Sequence, residues 1–240
     1  MKAIILAAGR GRRMGNATKS KPKCLLEING RPIVNYQIEA LRSAGIQQIG
    51  IVTGYQSSQL AEFGDMTFFN KEWAETNMAY SLTFASDWLH ADECLVSYSD
   101  IFYDETITRE LAESESEIAI AYDPNWQNLW SKRFSNPLDD AETFEISDNK
   151  TLLHIGGKPK SIDEIQGQYM GLWKFRPKGW QIFEKILSDV FLRQSKGVHL
   201  TKVLQRVINQ GHEVVAIPNY GVWGEVDTEN DLQLYNQAKY

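Results

Sequence analysis

The run Lys2-Ala-Ile-Ile-Leu-Ala-Ala8 is apolar without alternation and stops at Gly9, where Arg10, Gly11, Arg12 and Arg13 follow. An unbroken apolar run of this length, closed by glycine, reads as a parallel strand buried on both faces, and such strands need helices covering both sides of their sheet. The next elements obey the same constraint. Arg31 to Ala44 carries Ile33, Tyr36, Gln37, Ala40, Leu41 and Ala44 on or near one helical stripe, Gly45 supplies the stop, and Gln48 to Thr53 is β-rich again. Thr67 to Phe69 and Glu93 to Tyr98 continue as strands, with a helix predicted over Met78 to Ala85.

This alternation predicts an α/β fold with a Rossmann-like, mainly parallel central sheet and helices on both faces. After Asp100 the pattern changes. Glu117 to Tyr122, Glu142 to Ile146, Leu152 to Ile155 and Gln168 to Phe175 read as strands between Asn, Asp, Pro and Gly turns, and Ser147 to Lys150 reads as a hairpin turn. The second half therefore adds antiparallel elements. Helical patterns return at Gly179 to Leu192 and Thr201 to Gln210, followed by a strand at Glu213 to Ile217 and a last helix from Thr228, whose hydroxyl is placed to cap it. No repeat or linker interrupts the 240 residues, and 42% hydrophobic content supplies one core. The expectation is one domain over 1–240, with a nucleotide-binding half at about 1–115 and an acceptor-binding half at about 116–240.

The net charge of −6 argues against a general nucleic-acid binder, because a phosphate backbone selects a positive surface. The first apolar run is too short for a membrane span or a signal peptide, and no other stretch approaches span length, so a soluble cytoplasmic protein without a membrane partner is expected. Cys24 and Cys94, with no CxxC pattern and no histidine cluster nearby, read as buried thiols.

Against that acidic background the basic segment Arg10 to Lys23 stands out, directly after the first strand. Small residues at Leu6-Ala-Ala-Gly9 and Gly11 let backbone N–H groups approach a phosphate or a base. A dinucleotide fingerprint would need a third glycine where Met14 stands, and the Walker pattern needs Gly-Lys-Ser/Thr; neither is present. What remains is Leu6-Ala-Ala-Gly-x-Gly-x-Arg13 followed by Pro22-Lys23, and this combination resembles the sugar-nucleotidyltransferase family. The resemblance implies a loop wrapped around an NTP, with Leu6, Ala7, Ala8, Gly9 and Gly11 against the nucleotide. It further implies that Arg13 contacts the triphosphate and that Lys23 is catalytic. The chemistry agrees: charge building on a transferring phosphoryl group and on leaving pyrophosphate calls for fixed cations.

Asp100 follows the strand-like Leu95 to Ser99, at the carboxyl end where ligand crevices of open α/β sheets lie, and Asp227 ends Trp223-Gly-Glu-Val-Asp227 just before the last helix. Each aspartate also suits a turn or helix cap. The family resemblance pairs them as the holders of Mg²⁺, whose remaining octahedral positions water and phosphate fill. His90, His154, His199 and His212 are scattered and no nucleophile elbow is present. A phosphate monoester needs neither, since its second pKa near 6 leaves it an anionic nucleophile.

Asn70 to Leu82, with Asn77 and Ser81, resembles the phosphocholine cytidylyltransferase branch, which also acts on aminoethylphosphonate and on phosphorylated amino acids such as phosphoglutamine. The resemblance implies CTP, with Asn77 and Ser81 near it, although Asn77 serves a helix N-cap equally well. On the acceptor side Lys158, between glycines and a proline, is placed to hold a phosphate. Trp130, Arg133, Tyr169 and Trp173 are candidate acceptor contacts, the rings being suited to an ammonium or simply to the core. Asp139, Asp140 and Glu142 would receive a primary amine. The expected activity is transfer of CMP from CTP to a small phosphorylated or phosphonate acceptor, releasing pyrophosphate and activating a building block for surface polysaccharide. A sugar-1-phosphate uridylyl- or thymidylyltransferase and a non-catalytic nucleotide-binding regulator are the alternatives, and the resemblance leaves room for a homodimer.

Overall fold

The computed structural model of the chain describes residues 1–193 and 196–237. Seven strands form one sheet: Lys2–Ala7 (β1), Gln48–Thr53 (β2), Met66–Phe69 (β3), Cys94–Tyr98 (β4), Ile118–Asp123 (β5), Gln168–Phe175 (β6) and Val215–Pro218 (β7), in the order β3-β2-β1-β4-β6-β5-β7. Every neighbouring pair is parallel except those made by β6, which runs antiparallel to both β4 and β5. The mainly parallel sheet expected from the apolar runs is therefore present. In β1, Ala3 to Ala7 are all at most 3% exposed, as a central strand covered on both sides requires.

The helices are Ile33–Ser43 (α1), Met78–Leu82 (α2), Ser86–Ala91 (α3), Glu105–Glu113 (α4), Trp126–Arg133 (α5), Pro177–Arg193 (α6), Leu200–Asn209 (α7) and Glu229–Gln237 (α8). α1 packs with α4, while α6 packs with both α3 and α7, so the two faces of the sheet carry separate helix layers. The last helix begins as expected: the Thr228 hydroxyl accepts from the Asp231 backbone N–H, and the Asp231 carboxylate accepts from the Thr228 N–H, a reciprocal cap. Ser147 to Lys150 is the expected turn, with the Lys150 N–H donating to the Ser147 carbonyl.

Three helices escape the sequence pattern. α4 buries only Ile107, Thr108 and Leu111, too thin a stripe to stand out, and is started by the Asp104 carboxylate accepting from the Thr106 N–H. α5 buries two tryptophans among polar residues, and α3 follows α2 only after a tight turn at Thr83–Ala85. The apolar run Cys24 to Ile28 does not form one strand. Lys23–Leu25 forms a turn of 3₁₀ helix, and only Glu27–Ile28 pairs, with Arg31–Pro32. The apolar side chains there, Cys24, Leu26 and Ile28, go into the core while the turn aims Lys23 inward. Cys24 and Cys94 are free and buried, and burial pushes both thiols up to about 12. Among the described residues no helix is long and apolar enough to cross a membrane.

Candidate active site

β1 has β2 on one side and β4 on the other, so the chain switches direction across the sheet beside β1, and a crevice opens at its carboxyl end. A cavity of about 350 Å³ lies there, walled by Leu6, Ala8, Gly9, Trp73, Asn77, Met78 and Ser81. A Cβ added at Gly9 would meet nothing within 4 Å, so the absent side chain leaves that space to a ligand. Ala7, by contrast, is buried beneath the wall. The Ser81 hydroxyl accepts from the Asn70 side-chain amide at 3.0 Å, which fixes it in the wall. The Asn77 side chain caps α2 through the Met78 N–H, as the N-cap alternative expected, donates to the Gly197 carbonyl at 3.2 Å, and also lines the cavity.

Gly11 does something different from Gly9. It sits at φ +69°, and a Cβ there would lie 3.0 Å from the Lys23 Cβ and 3.1 Å from its Cδ. The lysine stem runs against the bare glycine backbone. Gly11→Ala is therefore expected to combine left-handed strain with displacement of Lys23. A loss of about 1 kcal/mol or more in chemical denaturation, together with a larger proportional loss of turnover, would reveal both effects.

Lys23 is 7% exposed, and its ammonium donates to Asp100 Oδ2 at 2.9 Å and to Asp227 Oδ1 at 2.7 Å. Arg13, from the glycine loop, donates to the same Asp227 oxygen at 2.8 Å while its side chain stays 65% exposed. Four of the residues singled out in the sequence thus converge on one point. Burial alone would lower the Lys23 pKa, but the two aspartates outweigh it and raise it, so the lysine is a fixed cation. Burial works against ionised Asp227 in the same way, and Lys23, Arg13 and Arg133 overcome it, holding the carboxyl below its ordinary value.

Two local devices bring the aspartates together. The buried amide of Gln37 on α1 donates to the carbonyls of Tyr98 at 2.6 Å and Ile101 at 2.7 Å, pinning the turn that carries Asp100. Ile101–Tyr103 then pairs antiparallel with Trp223–Glu225, and the Val226 N–H donates to the Asp100 carbonyl at 2.8 Å. Among the described residues, Asp100, Glu225 and Asp227 each offer a carboxylate oxygen within 4.8 Å of the others. Asp100 Oδ1 is buried with no hydrogen-bond partner, as expected of an oxygen left for a cation. This donor set, oxygen only, fits a hard divalent ion. Glu225 was not singled out from the sequence. The signal was available, because alternate residues of an extended segment share a face and Glu225 lies two before Asp227.

A second cavity, of about 320 Å³, is lined by these three carboxylates and shares Asn77 and Met78 with the first. Its walls include Arg13, Tyr98, Trp130, Asp140, Glu142, Gln168, Tyr169, His199 and Thr201. Of the expected acceptor contacts, Trp130, Glu142 and Tyr169 are here. Burial, then the neighbouring Asp140, raises the Glu142 carboxyl above its ordinary value. Three expectations are corrected. Lys158 is exposed and outside both cavities, because the backbone of its two preceding glycines lies against Thr201 and Thr143 instead. Trp173 is 1% exposed, stacked on Phe175 and edge-on to Phe183, as part of the β6 core. Arg133 has a fully buried side chain whose nitrogens are taken by Glu225, Asp227 and Asp231. Tyr98, Gln168, His199 and Thr201 carried no signal of their own; tertiary folding alone brings them to the cavity.

A doubly wound sheet with a glycine loop over its switch point, and a buried lysine between two aspartates that line a cavity adjoining the loop's own, defines a nucleotidyltransferase. The chain belongs to the MobA-like NTP transferase family, whose sequence profile matches residues 3–141. It is 34% identical to the CTP:phosphoglutamine cytidylyltransferase of Campylobacter jejuni subsp. jejuni serotype O:2, over 98% of each chain. It is also 35% identical to a choline-phosphate cytidylyltransferase of Streptococcus pneumoniae, over 48% of this chain and 51% of that one. The solved structure of the CTP:phosphocholine cytidylyltransferase from Streptococcus pneumoniae superposes with a TM-score of 0.77 at 22% identity, covering 98% of this chain and 97% of the other, and so shares the fold.

Proposed function

We propose that the protein is a cytidylyltransferase that moves CMP from CTP to the phosphate of a small acceptor, a phosphorylated amino acid being the class best supported, and releases pyrophosphate. One observation carries the chemical part of this reading: Lys23 bridges Asp100 and Asp227, carboxylates that line the second cavity, which shares Asn77 and Met78 with the first. The nucleotide belongs in the cavity behind Leu6, Ala8 and Gly9, with its α-phosphorus toward Lys23 and Arg13, and the acceptor in the cavity of Trp130, Glu142 and Tyr169. The choice of CTP and of the acceptor class is supported by the relative at 34% identity over 98% of the chain.

In the reaction an oxygen of the acceptor phosphate bonds to the α-phosphorus of CTP, and the bond from that phosphorus to the bridging oxygen of pyrophosphate breaks. The acceptor is already anionic, so no side chain has to remove a proton. The protein's work is alignment and charge compensation. Lys23, held as a cation, lies where charge grows on the transferring group. Arg13, tethered at one end and open to the cavity, has a planar fork suited to the departing pyrophosphate. Asp100 and Asp227, with Glu225 beside them, would hold Mg²⁺, which when bound neutralises phosphate charge and polarises the reacting phosphoryl group.

The test is pyrophosphate release in Mg²⁺ with CTP, UTP, GTP, ATP and dTTP, each against phosphoglutamine, phosphocholine, aminoethylphosphonate and sugar 1-phosphates. Turnover with CTP and a phosphorylated amino acid is the expected result. Turnover confined to UTP or dTTP with a sugar phosphate would overturn the base and the acceptor together. CTP binding without turnover on any acceptor would favour a regulatory module.

A further inference from the structure

Arg133 reaches neither cavity, yet it is the most completely engaged cation in the molecule's acidic centre. Its side chain is 0% exposed; Nη1 donates to Glu225 at 2.9 Å, Nε to Asp231 at 2.9 Å, and Nη2 stands 3.5 Å from Asp227 Oδ2. The two oxygens of Asp227 therefore face opposite cations. Oδ1 receives Lys23 and Arg13 from the cavity side, and Oδ2 faces Arg133 from behind. Asp231, which anchors the guanidinium, also accepts from the backbone N–H of Asp227 at 2.9 Å and of Thr228 at 2.8 Å. The same carboxylate thus ties Arg133 and the Asp227 loop to the start of α8.

We infer that Arg133 is a positioning residue: it fixes the spacing and orientation of Glu225 and Asp227 so that, with Asp100, they present their oxygens to a divalent cation. This inference rests on the metal role proposed above. Three carboxylates in three directions in one plane suit a guanidinium and not an ammonium, whose point charge cannot keep all three contacts at once. The arginine also packs on aromatic rings, its guanidinium carbon 5.1 Å from the ring centres of both Trp130 and Phe134. Trp130 lies one turn earlier on α5 and walls the acceptor cavity, so one helix supplies an acceptor wall and the clamp on the carboxylates. Groups that orient metal ligands from outside commonly govern affinity by about 10- to 100-fold.

The experiment is titration of the purified protein with Mn²⁺, following free Mn²⁺ by electron paramagnetic resonance. Wild type is compared with Arg133→Lys and Asp231→Asn after circular dichroism shows each variant folded. Asp231→Asn keeps the arginine but weakens its anchor, so it serves if Arg133→Lys fails to fold. Weakening of Mn²⁺ binding by about 10-fold or more in a folded variant, with the Mg²⁺ half-saturation of turnover rising in parallel, is the expected result. A purely packing role would lower the melting temperature and leave the Mn²⁺ affinity in place. Unchanged affinity in both folded variants overturns the inference while the metal reading stands. If the wild-type protein binds no Mn²⁺, or Asp100→Asn and Asp227→Asn leave its binding unchanged, the metal reading falls and the inference falls with it.

Discussion

Replacing Lys23 by Met is expected to cut CMP transfer by about 10²- to 10³-fold or more, the range for removing one preorganised donor from a developing charge, while CTP binding stays within a few-fold. The cavity proposed for the nucleotide keeps its walls, because Leu6, Ala8, Gly9, Asn77 and Ser81 do not depend on the lysine for their contacts. What disappears is a buried cation 2.7 and 2.9 Å from two carboxylates. Asp227 retains two arginines, whereas Asp100 loses its one ion-pair partner among the described residues. The variant should therefore also melt earlier without Mg²⁺ than with it. Lys23→Arg separates charge from shape. The stem is packed against Gly11 and the ammonium stands 2.9 and 2.7 Å from two carboxylates, contacts that a longer, planar head would displace, so it too should be nearly inactive. Single-turnover pyrophosphate release measures both: Lys23→Met within tenfold of wild type would remove Lys23 from the chemistry, and Lys23→Arg within tenfold would show that its charge suffices without its shape.

Asp227→Asn is the second large effect. Asp227 accepts from Lys23 and Arg13, faces Arg133, and is 3% exposed, so the change removes one negative charge from among three cations. Turnover is expected to fall by about 100-fold or more, since even groups behind a metal ligand govern 10- to 100-fold. The Mg²⁺ concentration for half-maximal rate should rise as well. Asp100→Asn should do the same from the other side. An Asp227→Asn protein with an unchanged Mg²⁺ response would show that the carboxylate serves only to hold Lys23. That outcome is separable, because Lys23→Met would then lose activity without any change in metal response.

The sequence was informative where one residue type had one physical use. The buried run of β1, the glycine loop and the Pro22-Lys23 pair each sit next to what they serve in the chain, and the fold brings Arg13, Lys23, Asp100 and Asp227 to one point. Residues with two uses were harder to read. Lys158 and Arg133 are both basic and both far from the loop; one proves exposed and the other wholly buried, and nothing in local spacing distinguishes a lysine beside glycines from an arginine ending a helix. Trp130 and Trp173 show the same ambiguity, one on a cavity wall and one inside the aromatic core. The helices that went unrecognised, α3, α4 and α5, owe their stability to a few large contacts and not to a long apolar stripe. His199 and Thr201 reach the cavity of the carboxylates only because α7 packs back against α6.

The antiparallel β6 lies between β4 and β5, and the Trp223–Glu225 strand closes against Ile101–Tyr103. A chain emerging from the ribosome therefore completes its sheet late, and the partner of Asp100 arrives later still. If the proposed function holds, the lysine precedes by 204 residues, and the glycine loop by more, the Asp227 carboxylate that completes the centre with them. Cleavage of a nucleotide would then wait on the pairing of Trp223–Glu225 with Ile101–Tyr103, however early the loop itself is made.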